Sequence, residues 1–313
     1  MEQQEEHWAR ETLREIAMEG IKERRRARRW GIFFKLLILA YLIAVFALAV
    51  PSLWRSTDVV EVGRHVAVVD LNGAIASDSK ANADRIIKGL EAAFGANDVA
   101  GVMLRINSPG GSPVESRRIN AAIKRLRDAH PDVTLYAVAG DIMASGAYYV
   151  AAAADEVYAD PASLVGSIGV VMGGFGFTDA MDKVGVERRL YTAGRNKAML
   201  DPFSAPDPDV EAHVQTMLDD IHTQFIQAVR EGRGDRLADD ERLFSGLIWT
   251  GERGKALGLV DGLATPREVA REIIGVERTV NYTPRGNILD RITERLGMVA
   301  SQVRNELLTP RLW

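Results

Sequence analysis

Ser145 and Lys197 are the two side chains whose surroundings best fit covalent chemistry, and Gly110-Gly111 is the backbone best fitted to hold a developing anion. Ser145 lies in LYAVAGDIMASGAYYVAAAAD, residues 135–155. Leu135–Ala139 reads as an interior strand, Gly140 and Asp141 as its break, and Ala144, Gly146 and Ala147 as thin backbone that lets a substrate approach the hydroxyl. A serine at such a turn acts as a nucleophile or as a plain helix N-cap, and its own turn does not separate the two. A nucleophile needs a base. None of the five histidines sits in a comparable turn: His213 and His222 fall inside an amphipathic helix, and His130 precedes Pro131 at a helix end. A Ser-His-Asp arrangement is therefore disfavoured. A lysine serves as base when desolvation or a neighbouring cation lowers its pKa from about 10.4 toward 7. Lys197 is the best placed, because most other lysines lie on helix surfaces whereas it follows Gly194 and precedes the apolar and turn residues Ala198–Phe203. Its alternative is a solvated loop.

Acyl transfer also needs donors for an oxyanion. The amides of Gly110, Gly111 and Gly146 are the candidates, against an ordinary Pro-Gly-Gly turn. A phosphate cradle ranks low, since neither GxxxxGK[ST] nor GxGxxG is present. Ser167, between Gly166 and Gly169, is a second possible nucleophile or a hydroxyl that orients the lysine.

The elements that would position these groups alternate strand and helix. His65–Leu71 reads as a strand ended by Asn72-Gly73, Asp78–Phe94 as a helix stopped by Gly95, and Val99–Ile106 as a second strand. Ser112-Pro113-Val114-Glu115 is a capping-box pattern opening a helix to about Ala129, so the glycine pair falls between a strand end and a helix start. Val133–Ala139 and the helix after Ser145 repeat the order, which predicts right-handed crossovers and a largely parallel sheet. Further on come a short strand over Glu156–Ala159, a helix over Thr178–Val184 and a strand over Glu187–Thr192. A long helix opening at Asp207-Pro208 carries the apolar face Val210, Val214, Met217, Leu218, Ile221, Phe225 and Val229 and ends at Gly232 and Gly234. Thr265–Glu268 is another capping box, before a helix to Ile274. The tail, 285–310, has one apolar stripe that includes Ile288, Ile292, Leu296, Val299 and Val303. Such a stripe packs on the domain, lies on a membrane or pairs subunits.

At 313 residues with 47% hydrophobic and 26% charged residues, the chain has material for a sizeable core. The net charge of -4 argues against a general nucleic-acid binder, and the absence of cysteine removes disulfides, thiolate catalysis and Cys-zinc sites. The histidines show no metal-ligand spacing, so no metal is expected. Near the N-terminus, Lys22–Arg29 holds six basic residues against the single acid Glu23. Residues 31–50 follow, apolar except for Lys35. As a helix, Ile32–Val50 would extend about 28 Å, close to a hydrocarbon core of about 30 Å. The expectation is a cytoplasmic basic segment at 1–30, a transmembrane anchor at 31–50, and a domain outside a bacterial inner membrane, on the periplasmic side. Ala47-Leu48-Ala49 also has the look of a signal-peptide cleavage site, but the long leader argues for a retained anchor.

INSPGGS (106–112), MASGAYYVAAAAD (143–155), LVGSIGV (164–170) and AGRNKAMLDPF (193–203) together resemble, in order, the motif set of the signal peptide peptidase A (SppA)/SohB family of serine peptidases. The resemblance covers roughly residues 60–275, with a peptidase domain expected over 60–280. It implies a ClpP/crotonase-like α/β fold, Ser145 as nucleophile, Lys197 as general base, Ser167 as the lysine's hydrogen-bond partner, and an oxyanion hole from Gly110, Gly111 and Gly146. It also implies peptide substrates such as signal-peptide remnants, no cofactor, and a homo-oligomeric ring whose serine and lysine come from neighbouring copies. Two positions depart from the commoner pattern: Ala147 stands where a second glycine is usual, and Asn196 where an aromatic is frequent.

Overall fold

The computed structural model describes residues 63–284, a helical stretch at 28–43, and helical positions 18, 25 and 26. The chain divides into units spanning Met1–Val62 and Gly63–Trp313. In the first, residues 28–43 are helical and the apolar side chains of 32–43 are exposed. Among the described residues no helix is long and apolar enough to cross a membrane. Residues 44–50 of the expected anchor, most of the basic segment 1–30, and the tail at 285–310 lie outside the described residues.

The second unit is an eight-stranded sheet flanked by helices. Its main strands are β1 (His65–Asn72), β2 (Val99–Ser108) and β3 (Leu135–Ala144), joined by helices α1 (Ala83–Phe94) and α2 (Pro113–Ala129). All three are parallel, in the order β3-β2-β1, as the alternation of strand and helix requires. After β3 come α3 (Gly146–Ala151), β4 (Glu156–Ala159), β5 (Leu164–Gly166), α4 (Thr178–Val184) and the long α5 (Pro208–Arg233). Then follow β6 (Ile248–Thr250), α6 (Gly251–Ala256), β7 (Gly262–Leu263) and β8 (Thr279–Asn281). The pairing of β5 with β6 is antiparallel; the other strand pairs are parallel.

Both faces of the sheet are covered, which is why its strands are apolar at consecutive positions. Val69, Leu71, Leu104, Ile106 and Ala137 point into the larger cluster with Ile86 and Leu90 of α1 and Ile119 and Ile123 of α2. Val66, Val68, Met103 and Val138 point the other way, onto Val269 and Ala270. Each fully buried Ile or Leu contributes about 1.5–3 kcal/mol, so this double-sided core fixes the strand ends where the candidate groups lie.

Four local expectations need correction. Gly140 and Asp141 do not end β3, which runs on to Ala144. The strand changes partner there instead: Tyr136–Val138 pair with β4 and Ile142–Ala144 with β5. The Asn107 side-chain oxygen accepts from Ile142 N at 3.2 Å, and Ser163 Oγ donates to Gly140 O at 2.5 Å, bridging the irregularity. Helix α1 starts at Ala83 rather than near Asp78, because Ser79 holds a turn and the Asn82 side chain caps Arg85 N at 2.9 Å. Residues 187–192 form no strand, since no neighbouring strand is available to pair with them among the described residues. The two capping boxes also differ. Thr265 and Glu268 bond reciprocally, whereas at the other box Ser112 Oγ still accepts from Glu115 N at 3.4 Å but the Glu115 carboxylate accepts from Ala83 N at 2.7 Å, tying α2 to the start of α1.

Candidate active site

Ser145 occupies the junction between β3 and α3, with φ 55° and ψ −127°. A non-glycine residue in such backbone costs about 1–3 kcal/mol and persists only where its surroundings enforce it. Here Ser145 N donates to Gly166 O at 2.8 Å and Ser145 O accepts from Tyr149 N at 3.0 Å. Neighbouring Ala144 pairs with Gly166 across the sheet. The residue is the N-cap of α3 by position, yet its side chain makes no capping hydrogen bond. The hydroxyl is thus released from the role a serine ordinarily fills there.

The three candidate glycines converge on this serine. A Cβ on Gly110 would come within 2.7 Å of Ser145 Cβ and 2.5 Å of Gly146 N; one on Gly111 would collide with the Ile75 carbonyl, and one on Gly146 with Ser116 Oγ. Gly110 and Gly111 also have φ of 94° and 148°, so side chains there are excluded by conformation as well as space. Their amides are not equivalent. Gly110 N donates to Ser108 Oγ at 3.1 Å, and Gly110 O and Ser112 N bracket Ile75 in a bridge between the 75 and 111 positions. The amides of Gly111 and Gly146 take no partner among the described hydrogen bonds, and a Cβ on Gly146 would come within 3.2 Å of Gly111 N. Of the three proposed donors, these two are available.

Helix α3 is locked behind the serine. Tyr148 is fully buried and its hydroxyl donates to Leu259 O at 2.7 Å, while Asn120 of α2 donates to Tyr149 O at 2.8 Å. Burial pushes the Tyr148 hydroxyl far above its ordinary pKa, which leaves it a structural donor. Ala147 is also fully buried, so the methyl that departs from the common glycine fills core rather than cleft.

Ser145, Gly111, Gly146 and Ser167 line one cavity of about 590 Å³. Ser167 too has a positive φ, 54°, with its amide bonded to Leu247 O at 2.8 Å. Tyr149, Ile221, Phe225 and Phe244 supply much of the apolar wall, and the Tyr149 and Phe225 rings meet at 5.1 Å. His222 and Arg117 line the cavity as well; the first reads in sequence as a helix-surface histidine, and the second carries no signal there. His222 Nε2 lies 3.2 Å from Ile168 O, beside Ser167. The available signal was its place three residues before Phe225, at the border of the α5 apolar stripe.

Lys197 is elsewhere. It is exposed, in a turn where its amide donates to Gly194 O at 3.1 Å, and it does not line the cavity. The structure of one chain brings together five of the six candidates and leaves the lysine apart. Its segment has a frame of its own: Phe177 N donates to Pro202 O at 2.7 Å, the Phe177 and Phe203 rings stack at 5.4 Å, and Arg188 sits over Phe203 while pairing with Asp201 at 3.2 Å. Yet from Val171 to Phe203 no residue is buried, and Val171, Phe175 and Tyr191 are 91%, 81% and 89% exposed.

A strained, uncapped serine at a strand–helix turn, with free amides beside it on a mostly parallel sheet, is an arrangement suited to acyl transfer. The family can be stated more narrowly. The family described as Peptidase family S49 matches residues 128–276, and a putative protease of Synechocystis sp. is 30% identical over 205 residues, 66% of this chain and 72% of that protein. The chain belongs to peptidase family S49. A putative signal peptide peptidase SppA of Enterococcus faecium is 26% identical over 209 residues, covering 67% of this chain and 59% of that one. A Brucella abortus protein named Na(+)/H(+) antiporter NhaA is 42% identical over 215 residues, 68% of this chain but 29% of that protein. The chain therefore spans under a third of that relative's length.

Proposed function

We propose that the protein is a membrane-anchored serine endopeptidase in which Ser145 attacks a peptide carbonyl and Lys197 of a neighbouring copy takes the hydroxyl proton. The observation that carries this is the Ser145 turn: a serine in strained backbone, without its cap bond, facing a cavity beside the free amides of Gly111 and Gly146. Attack forms a tetrahedral intermediate whose oxyanion those amides receive. The amine leaves with the proton carried by the lysine, and water, deprotonated by the same lysine, releases the acyl group and restores Ser145. Ser167 orients the lysine.

The lysine's supply from a second copy is supported by the exposed apolar segment that carries it, because such surface marks an interface. A closed ring lets every copy give a lysine to one neighbour and receive one from the other. The apolar stretch at 31–50 anchors the chain in a bacterial inner membrane, with its peptidase domain on the periplasmic side. Substrates are extended apolar peptides, with signal-peptide remnants the leading class and other membrane or periplasmic chains, as for a SohB-like role, the alternative. The test is turnover of a fluorogenic peptide ester by the full chain. Wild-type activity lost in Ser145→Ala supports the reading; retained activity contradicts it.

A further inference from the structure

The charges lining the cavity are of one sign. Among the described residues that line it, Arg117 is the permanent cation and His222 the other basic group, and no Asp or Glu takes part. This is unusual for the helix concerned. Arg117 belongs to α2, whose other four basic side chains are all paired with acids: Arg118 with Asp84 and Glu115, Lys124 with Glu231, Arg125 with Glu91, and Arg127 with Asp155. Arg117 is exposed at the cavity's border, with no hydrogen bond or ion pair among the described residues.

The backbone that carries it is placed relative to the nucleophile by its neighbours. The preceding residue, Ser116, is buried, donates to Ser112 O at 2.9 Å, and abuts Gly146, the residue after Ser145. Three residues beyond Arg117, Asn120 holds the Tyr149 carbonyl. Burial raises the Tyr149 hydroxyl above its ordinary pKa, and the Arg117 charge is near enough to oppose that rise. The nearby acid Glu231 is already engaged by Lys124. The Tyr149–Phe225 ring pair thus offers apolar surface, and Arg117 adds a planar, unspent donor set at its border.

We infer that Arg117 is a specificity-determining residue: it forms a carboxylate-binding subsite, which selects peptides presenting a carboxylate beside an apolar side chain near the scissile bond. This rests on the peptidase reading for its placement near the reacting bond, while carboxylate binding itself does not require cleavage. The carboxylate belongs either to a Glu or Asp side chain or to the free C-terminus of a short peptide. Guanidinium binds either through paired N–H donors.

The test uses the full chain carrying Ser145→Ala, so that ligands are not consumed, and fluorescent apolar peptides in matched pairs. One pair ends in a carboxylate or a carboxamide; the other has Glu or Gln inside an otherwise capped sequence. Expected is binding about tenfold tighter for the charged member of at least one pair, a difference of about 1.4 kcal/mol. That ratio falls toward one in Arg117→Gln, reverses in Arg117→Glu, and shrinks with added salt. The pair that responds identifies the source of the carboxylate. Ratios near one in both pairs, or a ratio that survives Arg117→Gln, would overturn the subsite. Turnover by the wild-type chain is read separately: absence of cleavage with the charge preference intact would sink the peptidase reading and leave the subsite standing.

Discussion

The two halves of the proposed chemistry sit in regions built on opposite principles. Around Ser145 every group is enforced: Tyr148, Ala147 and Ile75 are buried, and substituting Gly110, Gly111 or Gly146 would drive a side chain into neighbouring backbone or Ser116. Around Lys197 nothing is buried, and large apolar side chains face outward. A site that must hold a strained nucleophile needs a rigid scaffold. The lysine segment, by contrast, has the composition of an interface and the contacts of a chain waiting for one. That contrast is what the proposed mechanism requires of a site shared between copies: a nucleophile half complete in one chain and a base half completed by assembly.

The largest effects separate chemistry from scaffold. Ser145→Ala and Lys197→Ala are each expected to lower kcat on a peptide ester by about 10⁴-fold or more, with unchanged circular dichroism. Residual turnover above that level in Lys197→Ala would remove the lysine from the mechanism. Next comes Gly111→Ala, which loses a free amide's placement and meets the Ile75 carbonyl. Its expected loss is about 10²–10³-fold in kcat.

A third prediction concerns what holds the nucleophile half together. Arg233, buried at the end of α5, donates to Asp261 at 2.7 and 2.9 Å, and Val157 N donates to the same carboxylate at 2.7 Å. Burial works to raise the Asp261 carboxyl, but the hydrogen bonds from Arg233 and Val157 and the charges of Arg233 and Arg236 outweigh it and hold its pKa below the ordinary value. A carboxyl depressed in the folded state contributes stability present above its unfolded pKa, about 3.9, and lost as pH falls through the lower folded value. Asp261→Asn is expected to cost about 3 kcal/mol at pH 7, measured by urea denaturation, with the gap from wild type closing below about pH 4. A gap independent of pH would assign the loss to packing.

The smallest effect on the fold is expected at the assembly surface. Replacing Val171 and Tyr191 by Ser should leave the melting temperature within about 2 °C, because neither is buried in the chain, while shifting sedimentation toward smaller species. A lower melting temperature with unchanged assembly would place this surface inside the fold.

The sequence makes the scaffold legible wherever local chemistry and tertiary contacts agree. Thr265–Glu268 forms the reciprocal cap its spacing predicts, and α5 ends at Gly234, whose φ is 52°. It also placed Ser145, Gly110, Gly111 and Gly146 on strand ends that the parallel sheet brings together. It misleads where a long-range partner decides. Gly140 looked like a strand break because glycine usually is one, but Asn107 and Ser163 bridge it from outside the segment. Glu115 looked like half of a capping box until Ala83 N claimed it. Residues 187–192 have strand composition and no strand to pair with. Arg117 carries no sequence signal as a cavity residue, and the spacing of His222 from Phe225 gives only its helix face, not what lies opposite.

Complementation between two inactive chains tests the division of the site most directly. Full-length Ser145→Ala and Lys197→Ala proteins, each inert alone, are mixed in equal amounts under conditions that allow subunits to exchange, and peptide-ester turnover is followed. Random pairing around a ring restores an intact serine facing an intact lysine at roughly a quarter of the sites, so activity should return to about that fraction of wild type. A mixture that exchanges subunits yet stays as inert as its components would contradict a site shared between copies.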